Sequence, residues 1–198
     1  MFYRIAAFLV SIGVKIFYRF RVEGLPELNK DKRLILCANH FSMRDILAIA
    51  SAFPGTLHFV AKKELGKGRL LSWFFSKLGV IFIDREANDI EAMRKILAKL
   101  KEEKMICIFP EGTRVKEVSP SNMKSGVALI AMRGKSDVLC ATIVTEYRFR
   151  KELLVRFHPP IHHEDYLASG AKQGRAELTR DIFNTIYSTE YKLEDFEG

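Results

Sequence analysis

Apolar positions along the chain fall into short uninterrupted runs, and between the runs they recur at helical spacing. Leu34 to Ala38 is a block of apolar or small residues bounded by polar turn formers, the pattern of a strand buried on both faces of a covered sheet. Leu57 to Ala61, Val80 to Ile83, Met105 to Phe109, Val138 to Val144 and Leu153 to Phe157 repeat it. Helical spacing appears in Ile46, Leu47, Ile49 and Ala50, in Leu70, Trp73, Phe74 and Leu78, in Ile90, Met93, Ile96, Leu97 and Leu100, and over Met123 to Arg133. Pro54 with Gly55 and then Gly79 stop the first two helices, while Gly24, Pro26 and Asn29 mark an earlier turn. From Lys172 to Tyr191 a last helix carries Leu178, Ile182 and Ile186 at a spacing of four, and it is expected to cover an edge. Alternation of strand and helix predicts a single α/β domain with a central, largely parallel sheet covered by helices. Parallel strands end at one common edge, so the loops after Ala38, Ile83 and Phe109 should meet there, where open α/β sheets bind ligands.

The first segment, Met1 to Arg21, departs from this pattern. It is apolar nearly all round, but Arg4, Ser11, Lys15 and Arg19 recur at offsets of seven, four and four, which is one narrow stripe on a helix. Its longest uncharged stretch, Ile5 to Val14, is half of the roughly 20 residues that a transmembrane helix needs. A helix lying in the membrane interface, basic stripe toward the headgroups, fits better. A helix docked on the core and a signal peptide compete with it; against the latter, no small-residue cleavage site follows and Lys15, Arg19 and Arg21 come soon after. The expected organisation is an interfacial helix over 1–21 and a folded domain over 22–198.

Composition sharpens this picture. With 198 residues, 48% hydrophobic and 28% charged, and no low-complexity tract, the chain is a folded domain with a substantial core. A net charge of +8 favours an anionic partner. The aromatics sit inside apolar runs instead of alternating with a basic patch, which argues against nucleic acid. Cys37, Cys107 and Cys140 all fall within strand-like runs, as buried reduced thiols of a cytosolic setting do, and no CxxC pair suggests zinc. His162 and His163, with His158 nearby, read as surface loop and not as a metal site, because adjacent strand residues point to opposite faces.

Candidate chemistry concentrates where the first strand ends, in Asn39, His40, Ser42 and Asp45. Ser42 followed three residues later by Asp45, ahead of an apolar pattern, fits a helix capping box with Ser42 as N-cap. His40 then lies in the strand-to-helix turn, where a helix N-terminus disfavours the imidazolium, and Asp45 can hold the ring's other nitrogen. The same residues read alone as a helix cap beside an ordinary loop histidine.

Two further motifs bear on that choice. Asn39, His40, Phe41, Ser42, Met43, Arg44 and Asp45 form N-H-x-S-x-x-D; Val80 to Arg85 is a short strand ending in arginine; Phe109 to Arg114 reads F-P-E-G-T-R. Lys62, Glu64 and Leu65 before a helix, and Lys124 with Gly126, complete a set spanning roughly residues 34 to 130. In these motifs and their order the sequence resembles the glycerolipid acyltransferases typified by lysophosphatidic acid acyltransferase. It departs from them at Ala141 to Glu146, where many members carry a proline in a V-P-V-like strand associated with the acyl-donor side.

The resemblance implies a glycerol-3-phosphate acyltransferase-like fold and a membrane-associating N-terminus. It implies acyl transfer from a thioester, on coenzyme A or acyl carrier protein, to the hydroxyl of a lysophospholipid, most naturally lysophosphatidic acid, with no metal or other cofactor. An alcohol attacks poorly until a base takes its proton, and His40 with Asp45 would supply that base. The motifs embed no serine or cysteine nucleophile, since Ser42 is better used as a cap, so direct attack is simpler than an acyl-enzyme. Arg85 and Arg114, with Lys62 and Lys124, would hold the acceptor phosphate. Glu111 would orient acceptor hydroxyls or those cations, and Thr113 and the backbone of Gly112 complete the substrate side. The plain alternative for each is an ion pair within Asp84, Arg85, Glu86, Glu111 and Arg114, or a turn at Gly112. The expected location is the cytoplasmic face of a membrane, monotopic or peripheral. A non-catalytic protein that keeps the fold and binds lipid surfaces is the competing function, and intact His40 and Asp45 argue against it.

Overall fold

A computed structural model describes residues 1–27, 33–84 and 90–189. Arg85 and Glu86, Asn29 of the early turn and Tyr191 at the tail lie outside the described residues. Among the described residues seven strands, β1 (Arg19–Glu23), β2 (Leu34–Ala38), β3 (Leu57–Lys62), β4 (Ile81–Ile83), β5 (Met105–Ile108), β6 (Asp137–Thr145) and β7 (Glu152–Phe157), form one sheet in the order β1-β7-β6-β2-β5-β3-β4. Among the described strands every neighbouring pair is parallel except β6 with β7, which the short connection after Thr145 turns back on itself.

The helices are α1 (Phe2–Phe17), α2 (Asp45–Ala52), α3 (Arg69–Leu78), α4 (Ile90–Lys101), α5 (Gly126–Gly134) and α6 (Gly170–Tyr187). They cover both faces of the sheet, and strand alternation decides which residue serves which face. Along β2, Leu34, Leu36 and Ala38 join a core with Tyr3 and Val14 of α1 and Ala48 and Ile49 of α2. Ile35 and Cys37 face the other way, onto Ile96 of α4, Val127 and Ala131 of α5, and Leu178, Ile182 and Phe183 of α6. This is why β2 reads as an unbroken apolar run. Cys37, Cys107 and Cys140 are all buried and unpaired.

Three expectations need correction. The apolar stripe of α6 covers the middle of a sheet face, not an edge; Leu178 and Ile186 have no exposed surface, and the Thr142 hydroxyl of β6 donates to the Ile186 carbonyl at 2.6 Å. The helix expected from Met123 begins at Gly126, leaving Lys124 in the loop before it. The helix expected through Arg21 ends at Phe17, because Phe20 and Val22 alternate with Arg19, Arg21 and Glu23 as edge strand β1, which pairs with β7 in register from Arg19–Glu152 to Glu23–Arg156. α1 is at once docked and apolar outward. Tyr3 and Val14 are buried, while Ile5, Phe8, Leu9, Ile12, Ile16 and Phe17 are exposed. Phe2 packs edge-on against Trp73 and Phe74, joining α1 to α3, whose Leu70, Leu71 and Trp73 are likewise exposed. Among the described residues no helix is long and apolar enough to cross a membrane.

Candidate active site

Loops at the carboxyl ends of β2, β3, β5 and β6 meet at one edge, as parallel pairing requires. His40 follows β2 by two residues, and Asp45 opens α2. One Asp45 oxygen, Oδ2, accepts from His40 Nδ1 at 3.0 Å and from the backbone N–H groups of Phe41 and Ser42, each at 2.7 Å. Oδ1 accepts from the Tyr147 hydroxyl. A carboxylate only accepts, so Nδ1 carries a proton, and in the neutral tautomer that this bond selects the lone pair lies on Nε2. Both side chains are taken out of water, His40 at 7% and Asp45 at 1% exposure, so the pair is not scrambled by solvent.

The capping box takes a shifted form. Asp45 does reach back to the Ser42 N–H, but the Ser42 hydroxyl accepts from Arg44 N–H at 3.2 Å within a tight turn, and α2 proper starts at Asp45 with Arg44 at its N-cap. Ser42 therefore shapes the turn that presents His40 instead of capping the helix itself.

The loop after β5 clasps His40 from the other side. Val115 N–H donates to the His40 carbonyl at 2.9 Å, His40 N–H donates to Glu111 Oε1 at 3.2 Å, and the imidazole stacks on Phe109 with centroids 4.1 Å apart. Glu111 is 2% exposed; its Oε1 also accepts from the Tyr187 hydroxyl of α6, while Oε2 has no hydrogen-bond partner among the described residues. Burial pushes its carboxyl above the ordinary range, and the Tyr187 bond pulls only partly against that. Glu111 thus braces the His40 backbone, with its second oxygen left over. Gly112 has φ +71°, and a Cβ there would meet only Lys124 Cγ at 3.8 Å, so the turn's left-handed backbone is what asks for glycine.

Asn39 belongs to the first motif but had no role assigned from sequence. Its side chain is buried and clamps the backbone of Ile143 in β6, Nδ2 donating to the carbonyl at 2.9 Å and Oδ1 accepting the N–H at 2.7 Å. The signal was available, since among side chains an amide is suited to match a backbone donor and acceptor together. Tyr147 and Tyr187 were missed as well, and no local pattern marks them. The segment Ala141 to Thr145 that departs from the expected proline pattern is the very strand Asn39 grips.

These groups border a cavity of about 770 Å³. His40 lines it, Lys62, Thr113, Arg114 and Lys124 bring polar and cationic groups, and Val60, Ile83, Ile96, Ile108, Val127 and Ile130 form an apolar wall between the sheet and α4 with α5. Arg114 and Lys124 are exposed, and Lys62 lies 3.7 Å from Glu64. Arg85 cannot be placed with them, being outside the described residues. Among the described residues no group of three His, Cys, Asp or Glu side chains could hold a metal ion. His162 and His163 each reach Asp137 at 2.9 Å; His162 is exposed, but His163 is buried and not the surface residue expected, so the two staple their loop to the start of β6.

Comparison with known proteins gives a consistent answer. A family profile described as acyltransferase matches residues 19–145, from β1 through β6. A 1-acyl-sn-glycerol-3-phosphate acyltransferase of Bacillus subtilis (strain 168) is 27% identical over 92% of this chain and 90% of its own. A protein of the same name from Saccharomyces cerevisiae is 32% identical over 70% of this chain, which spans 45% of that longer protein. The crystal structure of the 1-acyl-sn-glycerophosphate (LPA) acyltransferase PlsC from Thermotoga maritima has the same fold, with a TM-score of 0.72 at 24% identity over 96% of this chain and 83% of that one. With the family profile matched over more than half its length, the chain belongs to the acyltransferase family.

Proposed function

We propose that the protein is a 1-acyl-sn-glycerol-3-phosphate acyltransferase, moving a fatty acyl group from a thioester to the free hydroxyl of lysophosphatidic acid. The observation that carries the reading is the buried His40–Asp45 pair, 3.0 Å apart, on a cavity that is apolar on one wall and cationic elsewhere. Relatives bearing that name support the acceptor. His40 Nε2 takes the hydroxyl proton as the oxygen attacks the thioester carbonyl, which is worth about 10² to 10⁴ in rate. Asp45 holds the imidazolium that forms. The C–O bond is made, the C–S bond breaks, and the proton passes from His40 to the departing thiolate. The apolar wall takes the acyl chain, whose burial contributes roughly 0.8 kcal/mol per methylene. Arg114, Lys124 and Lys62 take the acceptor phosphate, and Thr113 and Gly112 shape the turn beneath; Arg85, which the resemblance adds to this set, lies outside the described residues.

The acceptor is a lipid, and the outward apolar residues of α1 and α3 suit a protein lying in the membrane interface as a peripheral or monotopic enzyme on its cytoplasmic face. The donor is acyl coenzyme A or acyl carrier protein. Purified protein assayed with lysophosphatidic acid, glycerol 3-phosphate and a phosphate-free lysolipid, each against both thioester classes, tests the proposal. Transfer to lysophosphatidic acid above the other acceptors supports it, while lipid binding with no transfer to any acceptor would make the protein a non-catalytic lipid binder.

A further inference from the structure

Tyr147 sits 102 residues from Asp45 in sequence, yet its hydroxyl donates to Asp45 Oδ1, the oxygen that His40 does not use. Its backbone is held at φ +52°, a left-handed conformation disfavoured for a bulky side chain and retained only where the surroundings impose it. Three groups do so. Thr145 Oγ1 accepts the Tyr147 N–H at 3.0 Å, Arg44 Nη1 donates to the Tyr147 carbonyl at 2.8 Å with its guanidinium 5.7 Å from the ring centre, and Tyr18 packs edge-on at 5.9 Å. Tyr18 is the C-cap of α1, the first residue beyond its last turn. The same junction is tied to this turn twice more, by Arg150 N–H to the Phe17 carbonyl at 2.7 Å and Arg19 N–H to the Lys151 carbonyl at 3.0 Å.

We propose that Tyr147 is a positioning residue for acyl transfer: held by Arg44 and by the α1–β1 junction, its phenol locks the Asp45 carboxylate in the orientation that keeps His40 Nε2 on the substrate. The proposal rests on His40 as the base. A carboxylate bonded through Oδ2 alone can pivot about its side-chain torsions, and a histidine a fraction of an ångström out of line loses rate without losing substrate affinity. Burial and the neighbouring Asp45 charge push the phenol's pKa up, so it remains a donor across the working range. Because the grip comes through Tyr18 and the Phe17 and Arg19 backbone, whatever seats α1 also seats the dyad.

Tyr147→Phe keeps the ring and removes the donor. The expected result is a fall in kcat of about tenfold, with KM for both substrates within about twofold of wild type and the thermal midpoint nearly unchanged. In an Asp45→Asn background the same substitution should cost little further, because the carboxylate that the phenol orients is gone. Arg44→Gln, which loosens the turn without touching Asp45, should lower kcat in the same direction by less, and it keeps the test available if Tyr147→Phe folds poorly. Wild-type kcat in folded Tyr147→Phe overturns the proposal, as does an effect that is undiminished beside Asp45→Asn or that follows loss of stability. His40→Ala run in parallel separates the two claims: an active His40→Ala enzyme removes the base itself, whereas an inactive one beside a fully active Tyr147→Phe removes only Tyr147's role.

Discussion

The imidazole of His40 lies flat on the ring of Phe109, with planes inclined by 19°. This stack joins the end of β2 to the end of β5, so two motifs far apart in sequence act as one rigid unit. The ring face is fixed by Phe109 and the ring rotation by Asp45, which together aim Nε2.

That division of labour separates two mutants. His40→Ala removes the base and should lower kcat by about 10² to 10⁴. Phe109→Leu keeps an apolar neighbour but loses the stack, and its smaller penalty, about 1 kcal/mol or roughly fivefold in kcat, should appear with KM unchanged. Steady-state kinetics with circular dichroism on both proteins checks this, and equal turnover in His40→Ala and wild type would sink the mechanism.

Arg114 and Lys124 border the cavity from the loop after β5 and from the residues just before α5. Loss of a charge-assisted contact to phosphate costs about 1.5 to 3 kcal/mol, so Arg114→Ala should raise the acceptor KM roughly tenfold or more and leave the donor KM nearly alone. Lys124→Ala should act in the same direction by less, a point charge lacking the arginine fork. The comparison to make is lysophosphatidic acid against a phosphate-free acceptor. Equal losses on both would mean that these cations hold the loop and not the phosphate.

Glu111 links pH to stability. Its carboxyl is shifted upward from an ordinary value of 4.5, so the folded state holds a proton that the unfolded state releases. Between those two values the native protein binds more protons than the unfolded one, and its contribution to stability is therefore full below 4.5 and falls as pH rises toward the folded value. Glu111→Gln cannot ionise and should lose that component. Urea unfolding from pH 4 upward, wild type beside variant, measures it; an unchanged difference between the two across the range would contradict the assignment.

Residues 1–21 cannot be deleted as a clean test of membrane docking, because Tyr3 and Val14 belong to the core and Arg19 to Arg21 are part of β1. Phe8 and Leu9 are 64% and 61% exposed, so a variant with both changed to serine should fold normally. Burying each contributes on the order of 2 kcal/mol, and binding to anionic vesicles should weaken at least about tenfold, with further loss at high salt as the screened basic residues contribute less. Vesicle sedimentation decides it. Undiminished binding would place the membrane contact elsewhere.

What the sequence determined by itself was the architecture and the edge at which chemistry happens. Runs such as Leu34 to Ala38 are apolar on successive residues because both faces of a parallel sheet are covered, and that pattern is local. Once strand and helix alternate, parallel pairing sends the loops after β2 and β5 to one edge, so His40 and Glu111 had to meet. The His40–Asp45 contact was equally legible, being made within one turn. The strand at Arg19 to Glu23 carried a readable alternation, hidden by the stronger apolar pattern ahead of it.

The tertiary structure alone decided how that site is held. Tyr147 on Asp45 and Tyr187 on Glu111 span 102 and 76 residues, and Asn39 on Ile143 spans 104. A tyrosine in sequence has the same periodicity whether its hydroxyl meets water or a buried carboxylate, and only the packing of β6 and α6 against β2 brings these groups within bonding distance. The same limit explains α6. Its apolar stripe follows from spacing, but whether such a stripe covers an edge or the middle of a sheet depends on which surface the other helices have left uncovered.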